Sequence, residues 1–353
     1  MSRIVTFGEI MGRLAAPGHL RFQQAMPGSL DVTFAGAEAS VAMSIAHLGG
    51  EAAFVTALPD HAIADACVAT LRGLGVDVRS IVRTSEGRLG LYFLETGANQ
   101  RAGQVIYDRA GSSIAITPPE AYDWPAILAG AEWLLVSGIT PAISRNAAEV
   151  TRQAMQTASQ LGVKIACDMN YRSKLWQWEP NLEPRELATR TMLELMPFVD
   201  LFIGGREDAV HMLGLAAYVG NPEDLARQVV RQFPNVQRVA MTLREGISAT
   251  HNFWGGLLYD ANLEQTFKAP WQDGQYQPYA ITDIVDRLGG GDAFTAGLLF
   301  ALTSEDLKAP EIAVSFAAAS SCLAHSIQGD FNYTTREEVE SLMTGASSAR
   351  VKR

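Results

Sequence analysis

Short β-branched runs alternating with longer helical periods predict an α/β fold: a mostly parallel central sheet covered on both faces by helices, with a small β-sheet standing off it. Three observations predict it. Strand and helix signals alternate along most of the chain. Two stretches break that rhythm with turn residues and period-two patterning. Of 353 residues, 48% are hydrophobic and 19% charged, enough apolar material for one large or two ordinary cores.

The elements follow in chain order. Ile4–Phe7 opens as a β-branched run, and Ala37–Leu48 follows with apolar residues at helical spacing. Ala53–Ala57 reads as the next strand and Ile63–Leu74 as the next helix. Trp133–Ser137 and Lys164–Asp168 flank a helical pattern over Asn146–Leu161. Arg185–Met196 leads into the strand Leu201–Ile203, and Glu223–Gln232 into Arg238–Thr242. Ser248–Phe253 is the last strand expected. The weakly polar stretch Ile312–Ile327, rich in Ala and Ser and interrupted by His325, reads as a buried helix and not a membrane span. Gly12–Thr33 is too rich in turn residues for a helix. In Arg88–Arg109, "RLGLYFLE", a "TGANQ" turn and "GQVIYDR" read as a hairpin. These two stretches together predict the small sheet. In such folds chemistry sits beyond the carboxyl ends of strands, near Asp168 and Gly204.

Composition narrows the function. A formal net charge of -10 argues against nucleic acid or an anionic membrane as a bulk partner, while leaving room for a local basic pocket. Cys67, Cys167 and Cys322 are scattered and without metal spacing, as expected of a reduced, cytoplasmic protein. The opening "MSRIVTFGEI" runs straight into a strand, so no signal peptide is expected. There is no G-x-x-x-x-G-K-[ST] loop, no H-E-x-x-H and no C-x-x-C pair. His325 and His47 lie on helical patterns and read as packing residues, as do Met11, Met43 and Met155. Trp176 and Trp178 read as packing for a loop.

The strongest local signal is "VDRLGGGDAFTAG", Val285 to Gly297. Three consecutive glycines cost backbone entropy, so the position should need their dihedrals or their missing side chains. Phe294, Leu298 and Leu299 are spaced for one buried helical face. The junction would expose N–H groups at the positive end of a helix dipole, an anion site. Asp292 is then either an N-cap or a catalytic group facing that anion.

"DRLGGGDAF" resembles the C-terminal signature of the ribokinase-like (PfkB) sugar kinases, D-T-x-G-A-G-D-x-F. "FAGAEASVAMSIAHLGG" resembles their first signature, and "VTFGEI" their opening strand. Within the family, "GEIMGRLAAPG", "GLYFLETG", "YDRAGSSIA", "CDMNYRSKLW" and "GDFN" are similar to 2-keto-3-deoxygluconate kinases. The resemblance spans essentially the whole chain. It implies a three-layer ribokinase-like domain over 1–345, with lid segments at about 12–34 and 88–112 and a disordered tail at 346–353. It also implies ATP and Mg2+ as cofactors, a sugar-acid substrate and a homo-oligomer.

The resemblance assigns roles residue by residue. Asp292 would take the proton from the attacking sugar hydroxyl, with Gly289, Gly290 and Gly291 holding the charge on the transferring phosphoryl. Gly36, Ser40, Tyr92, Tyr107, Arg109 and Arg172 would surround the sugar, the two arginines being suited to a carboxylate. Alternatively Arg109 and Arg172 form internal ion pairs with Asp108 and Asp168, and the tyrosines pack the lid. Gly205, Asp208, Thr242, Arg244 and Gly246 would meet nucleotide and metal, with Asp208 the metal carboxylate. The chain departs from the family pattern in three places. Ser40 replaces the sugar-contacting Asn, Ala35 stands for the first glycine of a pair, and Gly205 and Asp208 stand for Asn-x-x-Glu. Arg244 sits where many relatives carry glycine, either compensating for lost metal contacts or facing solvent. The expected reaction is phosphorylation of the 6-hydroxyl of 2-keto-3-deoxygluconate. The alternatives are a kinase of fructose, ribose or another keto-deoxy acid, or a binding homologue with impaired catalysis.

Overall fold

The structure, a computed structural model, describes residues 2–215 and 220–345. The tail expected at 346–353 lies outside the described residues. Among the described residues the central sheet has nine strands. Arg3–Phe7 lies between Glu51–Val55 and Ala131–Ser137, and Lys164–Asp168, Leu201–Ile203 and Arg238–Gly246 follow, all in parallel. Asn252–Asp260 then adds antiparallel, and Gln265–Ala269 and Tyr279–Ile281 pair with it.

Burial on both faces follows from the alternation of strand side chains. Val5, Leu134, Val136 and Ile165 point into a core shared with Ala154 and Met155 of the helix Arg145–Gln160. Ile4, Leu135 and Ala166 point the other way, onto Phe294 and Leu298 of the helix Gly290–Leu302. The expected helices are present at Ala37–His47, Ala62–Gly73, Arg145–Gln160, Pro184–Leu195 and Pro222–Gln232. The Ala/Ser-rich stretch forms the buried helix Pro310–Ala324. Among the described residues no helix is long and apolar enough to cross a membrane.

The small sheet is built as the two irregular stretches predict. Its strands run in the order Asp31–Ala35, Met11–Ala15, Gly90–Glu95, Gln104–Asp108. Met11, Ala15, Ala35, Tyr92 and Leu94 form its own apolar cluster. Two expectations need correction. The first irregular stretch does contain one helical turn, Phe22–Ala25. The strand expected at Ser248–Phe253 runs instead over Asn252–Asp260, because Ile247 and Ser248 both donate to the His251 carbonyl and make the hairpin turn. Gly255 and Gly256 hid that strand from a propensity reading. Yet a Cβ at Gly256 would lie 2.6 Å from the Phe294 ring, so glycine is what lets the strand meet the helix.

Candidate active site

One cavity of about 790 Å3 opens beyond the carboxyl ends of the parallel strands, beside the small sheet. Asp168 and Gly204 line it, as the strand-end argument expects. So do Gly36, Tyr92, Tyr107, Arg109, Arg172, Gly205, Asp208, Thr242, Arg244, Gly289, Gly291 and Asp292. Segments far apart in the chain therefore meet in one place.

The glycine run begins the helix Gly290–Leu302. Gly289 is the N-cap, with φ of +80°, and Asp292 is the third helical residue, so Asp292 is not the cap. A Cβ on Gly289 would also sit 2.3 Å from the Asp330 carbonyl oxygen. Both dihedral and space require glycine there. At Gly291 the surroundings are open, with nothing within 4 Å of an added Cβ. The first helical N–H groups thus face the cavity without a side chain over them. Gly290 does not line the cavity: its Cα faces the His325 ring, and its carbonyl accepts from Ser321 Oγ.

Other positions depart from expectation. Ser40 is fully buried one turn inside the helix Ala37–His47, and its side chain lies outside the cavity lining. Serine cannot reach where a longer amide would. Gly246 ends its strand beyond Arg244 and also lies outside the lining. Gly36 lines the cavity, and a Cβ there would be 2.1 Å from the Glu9 carbonyl oxygen.

The arginines divide by role. Arg109 is buried and ion-paired with Glu9, not with Asp108, which pairs with Arg88. Its Nε finds no hydrogen-bond partner among the described residues. Arg172 is exposed, its Nη1 donating to the Tyr171 carbonyl at 3.2 Å, and it forms no ion pair with Asp168 among the described residues. Arg244 and Arg287 both line the cavity, and neither has an acidic partner among the described residues. Arg287 Nη2 donates to Asn252 Oδ1 at 3.0 Å. Burial lowers the proton affinity of both guanidiniums, and the charge of Arg244 adds to this at Arg287. Two mutually repelling cations over a glycine turn suit a polyphosphate.

Carboxylates crowd the rest of the cavity. Burial, then the charge of Asp208, pushes Asp168 up to about 7, with Arg172 opposing. Asp292 is held well above the usual carboxylate range by burial, then by Asp168, Asp330 and Glu38, again with Arg172 opposing. Glu38 is raised by burial and partly relieved by hydroxyl donors from Ser137 and Thr140. Its carboxylate fills the space where a side chain at Gly8 would be. Asp208 accepts from Gly205 N at 2.7 Å and Tyr171 N at 2.8 Å, which clamps the start of the helix Arg206–Met212 to the loop after Lys164–Asp168.

Glu9, Glu38, Lys174, Arg287 and Asp330 also line the cavity and carry no assignment from the sequence reading. Glu38 offered one usable signal, a lone acid at the head of an otherwise apolar helix. Arg287 and Asp330 stand inside the "DRLGGGD" and "GDFN" motifs.

Residues 1–333 match the family described as pfkB family carbohydrate kinase. The chain is 33% identical over 350 residues to the 2-dehydro-3-deoxygalactonokinase of Haloferax volcanii, covering 98% of each. It is 26% identical to the 2-dehydro-3-deoxygluconokinase of Thermoproteus tenax, covering 94% of this chain and 90% of that one. The crystal structure of 2-dehydro-3-deoxygluconokinase from Thermotoga maritima superposes with a TM-score of 0.88 at 39% identity, covering 98% of this chain and 100% of that one.

Proposed function

The chain belongs to the pfkB family of carbohydrate kinases, and on that premise we propose that it phosphorylates the 6-hydroxyl of 2-keto-3-deoxygluconate with ATP and Mg2+. The observation that carries the reading is one cavity lined by a side-chain-free helix start, Asp292, the neighbouring cations Arg244 and Arg287, and two further arginines, Arg172 and Arg109. A phosphate donor and an acidic acceptor each need such a partner.

Arg172 is the arm that meets the sugar carboxylate, and Arg109, fixed by Glu9 through Nη2, offers its Nε. Tyr92 and Tyr107, facing each other across the small sheet with ring centroids 6.0 Å apart, wall the sugar. Arg244, Arg287 and Thr242 receive the nucleotide phosphates. Asp292 accepts the proton as the hydroxyl attacks the terminal phosphorus and the bond to ADP breaks. The raised proton affinity of Asp292 suits a general base, and the N–H groups of Gly291 and Asp292 steady the charge on the moving phosphoryl. Closing the small sheet as a lid keeps water from competing.

Among the described residues no group of three His, Cys, Asp or Glu could hold a metal by itself. That fits magnesium carried in on the nucleotide, held mostly by phosphate oxygens and water. Asp208, each oxygen of which already accepts one backbone N–H, keeps a second lone pair on each for that ion or its waters. When bound, the ion neutralises phosphate charge. All three cysteines are unbridged, in keeping with a cytoplasmic enzyme. The exposed Val32 and Ile106, on the face of the small sheet opposite Tyr92 and Tyr107, support pairing of two copies.

A second reading, the C4-epimeric galactonate substrate, is favoured by the Haloferax relative. Competition between both keto-deoxy acids and fructose, with the product's phosphorylated carbon read by NMR, tests the proposal. Keto-deoxygluconate 6-phosphate should dominate. Faster turnover of fructose would overturn the acidic-sugar reading, and preference for the epimer would shift it to the second.

A further inference from the structure

Arg13 belongs to the "GEIMGRL" run, yet nothing in the proposed reaction uses it. It sits in the strand Met11–Ala15 of the small sheet, directly across from Tyr92 in the neighbouring strand. Its side chain is 3% exposed and reaches two carboxylates outside that sheet. Nη2 meets Asp286 Oδ2, and Nη1 meets Asp330 Oδ1. Tyr92 Oη donates to the same Asp330 oxygen at 2.7 Å.

Both acids shape the backbone around the glycine turn. Asp286 Oδ1 accepts from Arg287 N at 2.8 Å and Leu288 N at 3.2 Å, the two residues before Gly289. Asp286 Oδ2 accepts from Gly329 N at 3.1 Å, tying in the loop that carries Asp330. The Asp330 carbonyl in turn lies against Gly289 at the position a Cβ would fill. Two buried acids with one guanidinium between them hold together only while that cation is present.

We propose that Arg13 is a positioning residue: from the small sheet it latches Asp286 and Asp330 together, and so fixes the Gly289–Gly291 turn and the setting of Asp292. The attitude of the small sheet and the geometry of the phosphoryl site are then a single variable. The inference rests on the kinase reading for its activity test but not for its structural one.

Asp292 is faced by Asp168, by Asp330, by Glu38 and by Arg172. Removing Arg13 leaves the Asp330 charge uncompensated, which makes Asp292 harder to ionise. Arg13→Met should therefore lower kcat on the order of 10²-fold through displacement of the turn. It should move the acid limb of kcat/KM to higher pH and change KM for the sugar acid little. Arg13→Lys, which keeps charge without the fork, should return the acid limb towards its original place while restoring only part of kcat. Asp330→Asn should move the acid limb the opposite way, and serves if Arg13→Met does not fold. In the free protein, amide hydrogen exchange across residues 288–293 should speed up in Arg13→Met or, failing that, in Arg13→Lys. Wild-type exchange there, or an unmoved acid limb in Asp330→Asn, would overturn the latch. Faster exchange in a protein that does not phosphorylate keto-deoxy acids would refute the substrate proposal and leave the latch standing.

Discussion

Asp168 sits at the end of its strand with Thr295 Oγ1 donating to it at 3.4 Å, too weak a contact to offset its neighbours. Burial and the Asp208 charge raise it to about 7, so the folded protein holds a proton that the unfolded chain releases near pH ~4. The sign follows: this proton stabilises the fold fully below the unfolded value, and the benefit is lost as pH rises through about 7. Asp168→Asn should melt higher than wild type at pH 8, by on the order of 1 kcal/mol since Asp168 keeps surface toward the cavity. The gap should close at pH 5, and melts showing an equal gap at both pH values would remove the electrostatic account. At this scale residue types are legible in the sequence and their partners are not. Arg109 does pair internally, but with Glu9, a residue a hundred positions away that no spacing rule connects to it.

In the proposed reaction the helix Gly290–Leu302 serves the phosphoryl site because its start is bare and its body is buried, with Phe294, Leu298 and Leu299 fully enclosed. Gly289→Ala tests the turn itself. The substitution forces a side chain into left-handed backbone and against the Asp330 carbonyl, a cost of about 1–3 kcal/mol. Urea melts should show that loss, and turnover should fall further than stability alone explains. A variant with wild-type stability and rate would mean that the turn is not held as described. Elements with a clean period were legible: Lys164–Asp168 and Leu201–Ile203 fall where their β-branched runs place them. Asn252–Asp260 was not, because Gly256 answers to a ring in a distant helix and Gly255 to Tyr276 and the Ala269 carbonyl, not to local propensity. The single turn at Phe22–Ala25 is likewise set by tertiary contact, its first N–H donating to Glu95.

Across the whole molecule, a chain with net charge -10 gathers Arg109, Arg172, Arg244 and Arg287 around one cavity. The overall surplus of acid disfavours nucleic acid, while Arg244 and Arg287, without acidic partners among the described residues, favour small anions. Family membership and the α/β architecture were legible because ordered motifs and strand–helix rhythm are properties of the chain itself. The arrangement of small sheet, glycine turn and strand ends was not, since it depends on buried charge pairs between segments hundreds of residues apart, such as Arg13 with Asp286. The most direct test of the central claim is single-turnover transfer of the terminal phosphate of labelled ATP to 2-keto-3-deoxygluconate, with wild type and Asp292→Asn side by side. Wild type should label the sugar acid, and the Asp292→Asn variant should bind it normally while transfer drops by roughly 10²–10⁴-fold. Equal transfer rates in the two proteins would contradict the account.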